Sequence, residues 1–121
     1  MGYFYIIGTI LFTVYGQLII KWRVGRYGAL PETLIEKLRF LVKVFSDIYI
    51  LSGFLSAFVA SVLWIGAMTK FEISYAYPFM SLSFVLVFFS SIFLFNESIS
   101  LLKVVGLLII VLGVIITSKS L

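Results

Sequence analysis

The stretch ISYAYPFMSLSFVLVFFSSIFLFN, residues 73–96, runs for 24 residues without a charged side chain. About 20 apolar residues are enough for an α-helix to cross the hydrocarbon core of a bilayer. Backbone N–H and C=O groups in lipid must bond to each other, and an α-helix achieves this within one segment. The stretch therefore predicts a transmembrane helix.

Three further segments lack charged residues, at positions 1–20, 48–69 and 104–118. The whole chain is 63% apolar and 12% charged, whereas soluble domains are roughly 45–50% apolar. We predict an all-α membrane protein with a single domain over residues 1–121. This domain is a four-transmembrane-helix bundle with helices at about 2–22, 46–69, 73–96 and 100–118.

Residues 24–47 form the long segment between the first two spans. In GALPETLIEKLRFLVKVF, residues 28–45, Leu34, Leu38, Leu41 and Phe45 recur at helical spacing after Pro31. A proline favours the first turn of a helix. We predict a short amphipathic interfacial helix that begins near Pro31; an ordinary solubilising connector is the alternative.

The chain contains neither cysteine nor histidine. We therefore expect no disulfide, no metal site, no cofactor, no nucleic-acid partner and no enzymatic activity. The N-terminal stretch has no basic residues ahead of its apolar run, so we expect no cleaved signal peptide.

Lysine and arginine residues are distributed unevenly between the two sides of the predicted bundle. Seven lie in the segments after helices 1 and 3, and two, Lys70 and Lys119, lie on the opposite side. Because positive charge favours the cytoplasmic side, we predict that both termini lie outside the cytoplasm.

Helix 1 carries polar residues at every fourth position: Thr9, Thr13, Gln17 and Lys21. Such spacing places them on one slanting stripe. A polar stripe in a membrane helix faces protein or a wet cavity. Two interpretations remain open, hydrogen bonding between helices or the lining of a substrate groove.

Pro78 breaks the apolar pattern of helix 3. Proline has no N–H, so the Ser74 carbonyl loses its regular partner and a kink follows. We predict the kink at Tyr75–Pro78, with nearby hydroxyls bonding the free carbonyl beside a cavity. In helix 4, Gly106 and Gly113 share one face and predict a tight helix crossing or dimer contact.

Three stretches carry a resemblance: GQLIIKW (16–22), SYAYPFMSLSFVLV (74–87) and FNESISLLKVVGLLIIVLGVIIT (95–117). They resemble the drug/metabolite transporter superfamily, in particular its small four-helix EamA-like and small-multidrug-resistance-like proteins. They are most similar to the subunits of the flippase for 4-amino-4-deoxy-arabinose-phosphoundecaprenol. The resemblance implies a transporter subunit that flips a polyprenyl-phosphate-linked sugar across a bacterial or archaeal cytoplasmic membrane.

Under this resemblance, Lys21 binds the phosphate of the substrate at the cytoplasmic entrance. The sugar hydroxyls are bound by polar side chains of helices 1 and 3: Gln17, Thr13, Tyr75, Tyr77, Ser81 and Ser83. Glu97 pairs with Lys21 or accepts the amino group of the sugar. The alternatives are that Lys21 is an interface anchor beside Trp22 and that Glu97 pairs with Lys103.

Two other functions remain open, a proton-coupled exporter of cationic compounds and a non-transporting membrane scaffold. Small multidrug exporters use a buried glutamate in helix 1, and Thr13 stands at that place here, which argues against drug export. Besides membrane lipids, we expect a second four-helix subunit as partner, in a homodimer or in a heterodimer with a paralogue. The strong charge bias disfavours insertion of one chain in both orientations and favours an oppositely oriented paralogue.

Overall fold

A computed structural model describes residues 2–120 of the chain and shows six α-helices in that range. They are α1 (Gly2–Tyr27), α2 (Leu34–Phe45), α3 (Ile48–Met68), α4 (Ile73–Met80), α5 (Leu82–Phe95) and α6 (Leu101–Ser118). Because α4 and α5 together form one span, four spans in the described range are long and apolar enough to cross a membrane. The predicted all-α, four-helix membrane fold is confirmed, and the chain is a multi-pass membrane protein.

The helices α1 and α3 pack against each other along most of their length and form the centre of the bundle. Their closest approach is at two buried glycines, where a Cβ atom on Gly16 would lie 3.0 Å from the Gly53 carbonyl oxygen. One turn further along α3, the Ser56 hydroxyl donates a hydrogen bond to the Phe12 carbonyl of α1. Small residues at a helix crossing let the two backbones approach closely enough for such bonds.

The third span is interrupted at Ser81, between α4 and α5. The Ser81 N–H bonds to the Pro78 carbonyl at 3.0 Å, a tight i to i+3 turn. We predicted the irregularity at Tyr75–Pro78, and the structure places it three residues after Pro78. Since Pro78 lies only five residues into α4, the bond that it removes belongs to the first turns, and the helix stays regular up to Met80.

The Tyr75 hydroxyl, one of those expected to bond the Ser74 carbonyl, pairs instead with the Tyr3 hydroxyl at 2.6 Å. The Ser83 hydroxyl, further along the chain, donates to the Met80 carbonyl at 2.7 Å. These groups therefore stabilise the turn after α4 and the contact between α4 and α1, rather than the Ser74 carbonyl.

The amphipathic helix α2 begins at Leu34, with Thr33 as its N-cap, so Pro31 lies outside it. The Thr33 hydroxyl accepts a hydrogen bond from the Glu36 N–H at 3.3 Å, and this capping places the start of the helix after the proline. One face of α2 is apolar and exposed: Leu34, Ile35, Leu38, Leu41, Val42 and Phe45. The Phe45 ring stacks on Phe54 of α3, with ring centroids 5.3 Å apart, so the apolar surfaces of α2 and α3 are continuous.

The helix α6 is loosely covered by the rest of the bundle. Val114 is its only buried residue within the described range. A Cβ atom on Gly106 or Gly113 would meet no atom of residues 2–120 within 4 Å. The tight helix crossing that we predicted at these glycines is therefore not formed within the described chain.

Candidate substrate groove

A groove of about 530 Å³ lies between α1 and α3 and is bounded at one end by α4. The polar stripe of α1 forms one wall through Thr9, Thr13 and Gln17. The remaining lining residues are Gly16, Ile20, Gly53, Ala57, Ala60, Ser61, Trp64, Ile65, Tyr77 and Met80. The groove thus combines the polar stripe of α1 with a face of α3 that carries the small residues Gly53, Ala57, Ala60 and Ser61.

Four polar groups in this groove have no hydrogen-bond partner within residues 2–120. They are the Thr13 hydroxyl, the Gln17 amide, the Trp64 indole N–H and the Tyr77 hydroxyl, and none of them is fully enclosed. The neighbouring Thr9 hydroxyl, by contrast, donates to the Tyr5 carbonyl at 2.7 Å. Polar groups left unpaired at membrane depth are costly, so the groove suits a polar occupant.

Lys21 lies on the same stripe of α1, four residues beyond Gln17 and towards α2. Four residues correspond to about 6 Å along a helix. Its side chain is exposed and does not line the groove, whereas the adjacent Ile20 does. Lys21 therefore lies just outside one mouth of the groove.

The other residues predicted on α4 and α5 lie apart from the groove lining. Tyr75 is buried, and its ring packs against Phe71 and Phe79 beside the Tyr3 hydroxyl. Ser81 and Ser83 lie at the interruption between α4 and α5. Of the site residues predicted on the third span, which α4 and α5 form, Tyr77 reaches the groove.

Glu97 lines a different groove, of about 370 Å³, between α5 and α6. Lys103 lines the same groove, and its ammonium donates to the Ser98 carbonyl at 3.1 Å. The salt bridge found within residues 2–120 joins Arg23 and Asp47. In this structure Glu97 therefore forms an ion pair with neither Lys21 nor Lys103.

Several known proteins similar to this chain carry the description "Probable 4-amino-4-deoxy-L-arabinose-phosphoundecaprenol flippase subunit ArnF". The Photorhabdus laumondii protein is 31% identical over 128 residues, which cover 98% of this chain and 97% of that protein. The chain belongs to the ArnF family. Further members are the Proteus mirabilis protein, 30% identical over 98% of this chain and 92% of its own length, and the Serratia proteamaculans protein, 29% identical over 93% and 88%.

Two other comparisons give no match to this ArnF-family chain. No protein-family model matches it. No solved structure matches it significantly. The membership therefore rests on the curated relatives, which match it over nearly their whole length.

The structure of this ArnF-family chain also shows a polar cluster that the sequence analysis did not single out. Asp47 caps α3, and its side chain is only 3% exposed. Its Oδ2 atom accepts hydrogen bonds from the Arg23 guanidinium, at 2.7 Å and 3.1 Å, and from the Tyr27 hydroxyl at 2.5 Å. Its Oδ1 atom accepts from the Tyr49 N–H at 2.8 Å and the Ile50 N–H at 3.3 Å. An aspartate directly before an apolar run is an N-cap signal that could have indicated this role.

The electrostatic consequence of this cluster is that the charge of Arg23, in the last turns of α1, is neutralised. Hydrogen bonds from Arg23 and then Tyr27 hold the pKa of Asp47 well below its usual range. The Arg23 guanidinium also lies over the rings of Trp22 and Tyr49, at 5.0 Å and 4.7 Å from their centroids. Arg23 is thus engaged in joining the end of α1 to the start of α3, while Lys21 has no such partner within the described residues.

Proposed function

We propose that this chain is a subunit of a flippase that moves 4-amino-4-deoxy-L-arabinose-phosphoundecaprenol across the bacterial inner membrane. The observation that carries the proposal is the set of four unpaired polar groups in a groove at membrane depth. A lipid-linked sugar keeps its polyprenyl tail in the bilayer while its polar head crosses. The head loses its hydrogen bonds to water on the way, and the hydroxyl, amide and indole groups of the groove replace them.

The phosphate of the substrate requires a cation near the groove, since an unpaired charge in hydrocarbon is very costly. Lys21 is suited to this role because it lies just beyond the groove mouth and is exposed. Arg23, two residues further on, is already bound by Asp47. We therefore assign phosphate binding to Lys21 and sugar binding to Thr13, Gln17 and Tyr77.

A second four-helix chain completes the passage. The groove is open along one side, and α6 presents Gly106 and Gly113 to space that no other helix within residues 2–120 fills. The relatives are named as subunits. We propose that a paralogous subunit of opposite orientation packs there, and that this chain places both termini outside the cytoplasm.

Transport by variants of Lys21 tests the phosphate role. The complex is purified from its native membranes through a tag on this chain and reconstituted in vesicles with the lipid-linked amino sugar. Lys21→Ala and Lys21→Glu should abolish transport, while Lys21→Arg should retain part of it because arginine keeps the charge with a larger, planar head. The control is Lys43→Ala, which removes an exposed lysine of α2 and should transport normally.

The groove itself is tested with Gln17→Leu, which keeps the size of the side chain and removes its amide. Transport should fall strongly, while Ser118→Ala should have no effect because the Ser118 hydroxyl bonds to the Ile115 carbonyl of its own helix, away from the face of Gly106 and Gly113. Wild-type rates from both Lys21→Ala and Gln17→Leu, with the partner present, would refute the assigned groove. A wild-type complex that moves no lipid-linked sugar would refute the function.

A further inference from the structure

One corner of the groove is built from two aromatic residues on different helices. Trp64 of α3 and Tyr77 of α4 meet edge to face, with ring centroids 5.9 Å apart and an angle of 83° between the rings. Both residues line the groove. A T-shaped pair covers one ring face only. Tyr77 is 62% exposed, and the half-buried Trp64 packs against the core on one side and lines the groove on the other.

No carboxylate lines this groove in the described part of the chain. Asp47 is saturated by Arg23, Tyr27 and two backbone N–H groups. Glu97 lines the separate groove between α5 and α6. The other acidic residues, Glu32, Glu36 and Glu72, are exposed and lie outside the groove. A cation that enters the groove therefore meets aromatic faces rather than a negative charge.

An aromatic face attracts a cation placed within about 6 Å of the ring centroid, and tryptophan does so most strongly. We propose that Trp64, supported by Tyr77, recognises the ammonium group of the amino sugar and so selects the amine-bearing lipid over neutral analogues. This inference rests on the proposed function and gives Trp64 the amine contact that the sequence had suggested for Glu97. The free indole N–H and the Tyr77 hydroxyl bind neighbouring sugar hydroxyls.

A purely structural role for Trp64 makes a different prediction. Trp64 is half-buried and packs against the core formed by Ile6, Ile10, Val14, Ala67 and Ala76. If this packing were its whole contribution, its replacement would slow the transport of charged and neutral substrates equally. A recognition role changes the ratio of the two rates, which loss of stability does not.

The experiment compares 4-amino-4-deoxy-L-arabinose-phosphoundecaprenol with its N-acetylated form, which keeps both sugar hydroxyls and loses the positive charge. Each lipid is placed in vesicles that contain the native complex. Periodate, which does not cross the membrane, oxidises the vicinal diol of either sugar and, in the amine-bearing sugar, the neighbouring amino alcohol as well. The loss of intact lipid is therefore followed for both, and the same lipids in detergent give the intrinsic oxidation rate that corrects each transport rate. We expect the wild-type complex to favour the amine by about 2- to 30-fold, the range of a cation–π contact.

Two variants of Trp64 separate the contribution of its aromatic face from that of its indole N–H. Trp64→Leu should transport both lipids at similar rates, whereas Trp64→Phe keeps an aromatic face and should retain part of the preference. Phe58→Leu is the matched control, since Phe58 is an exposed aromatic residue of the same helix that does not line the groove. It should leave the preference unchanged.

A binding measurement keeps the inference testable if Trp64→Leu does not fold. The chain has two tryptophans, so Trp22→Phe leaves Trp64 as the only indole of this chain, and the tagged chain can be studied with a tryptophan-free partner. The amine-bearing lipid should change the Trp64 fluorescence at a concentration several-fold lower than the N-acetylated lipid does.

Three results overturn the inference. Equal rates for the two lipids in the wild type leave the flippase function in place and remove the amine selection. If Trp64→Leu still transports the amine-bearing lipid faster than the N-acetylated lipid, Trp64 does not select the amine. If that variant does not fold, the same conclusion follows when both lipids change the Trp64 fluorescence at equal concentrations. Failure of the wild type to move either lipid overturns the flippase function together with the inference.

Discussion

Replacement of Gly16 by alanine should loosen the centre of the bundle. A Cβ atom on Gly16 would lie 3.0 Å from the Gly53 carbonyl oxygen, whereas ordinary contacts begin at 3.4 Å. The obstacle is backbone, which cannot rotate away as a side chain can. The helices α1 and α3 must therefore separate by a few tenths of an ångström, which also strains the hydrogen bond from Ser56 to Phe12.

The expected loss of stability follows from two opposing effects. Overpacking of a well-packed contact costs about 1–3 kcal/mol. Alanine recovers up to about 1 kcal/mol because its helix propensity exceeds that of glycine. With the full gain of about 1 kcal/mol subtracted, the net destabilisation is about 0–2 kcal/mol, equivalent to an unfolding constant up to roughly 30-fold larger.

Two other glycines of α1 provide controls for the same substitution. Gly25→Ala should be neutral or slightly stabilising, since a Cβ atom there meets nothing within 4 Å. Gly8→Ala should cost less than Gly16→Ala, because its obstacle is the flexible end of the Leu63 side chain at 2.8 Å. The free energy of unfolding is measured by steric trapping in bicelles. If Gly16→Ala is as stable as Gly25→Ala, the close backbone contact at Gly53 is not a constraint on this fold.

A reporter fused to the C-terminus should be active only outside the cytoplasm, because seven of the nine Lys and Arg residues lie in the segments on the other side; an active cytoplasmic fusion would contradict this orientation. Gly113→Leu should not lower the free energy of unfolding of the isolated chain, since no residue of another helix in the described range faces it and leucine favours a helix more than glycine does, but it should lower assembly with the partner in a pull-down; unchanged assembly would remove α6 from the interface. Asp47→Asn should destabilise the chain between pH 5 and pH 8, because it leaves the Arg23 charge without its carboxylate. The pKa of Asp47 is lowered in the folded state, so its stabilising contribution is complete above about pH 4 and declines below that value. The difference in unfolding free energy between Asp47→Asn and wild type should therefore be constant from pH 5 to pH 8 and shrink below pH 4; a difference that changes between pH 5 and pH 8 would contradict the lowered pKa.

The fold class followed from the sequence because the membrane imposes a simple rule. An apolar run without charges has to be a helix in lipid, and run length sets the number of spans. Local signals also mark one helix end: Ser100 directly precedes α6, and its hydroxyl accepts the Lys103 N–H at 3.2 Å. The start of α2 at Leu34 rather than Pro31 was decided by the hydroxyl of Thr33, a competing cap that the sequence also contains.

Only part of the candidate site could be predicted from the sequence. Periodicity assigns a residue to a face of its helix but does not show which other helix packs against that face. The stripe of α1 indicated Thr13 and Gln17, and the structure places both in one groove. Periodicity could not show that Trp64 and Tyr77 meet there, or that Glu97 lies in another groove, because these relations depend on how α3, α4 and α6 pack. The sequence by itself determined the number of membrane spans and which of their faces are polar, because each backbone must satisfy its own hydrogen bonds in lipid. Only the tertiary structure decided which polar groups remain unpaired, because that depends on which helix surfaces come within hydrogen-bond distance.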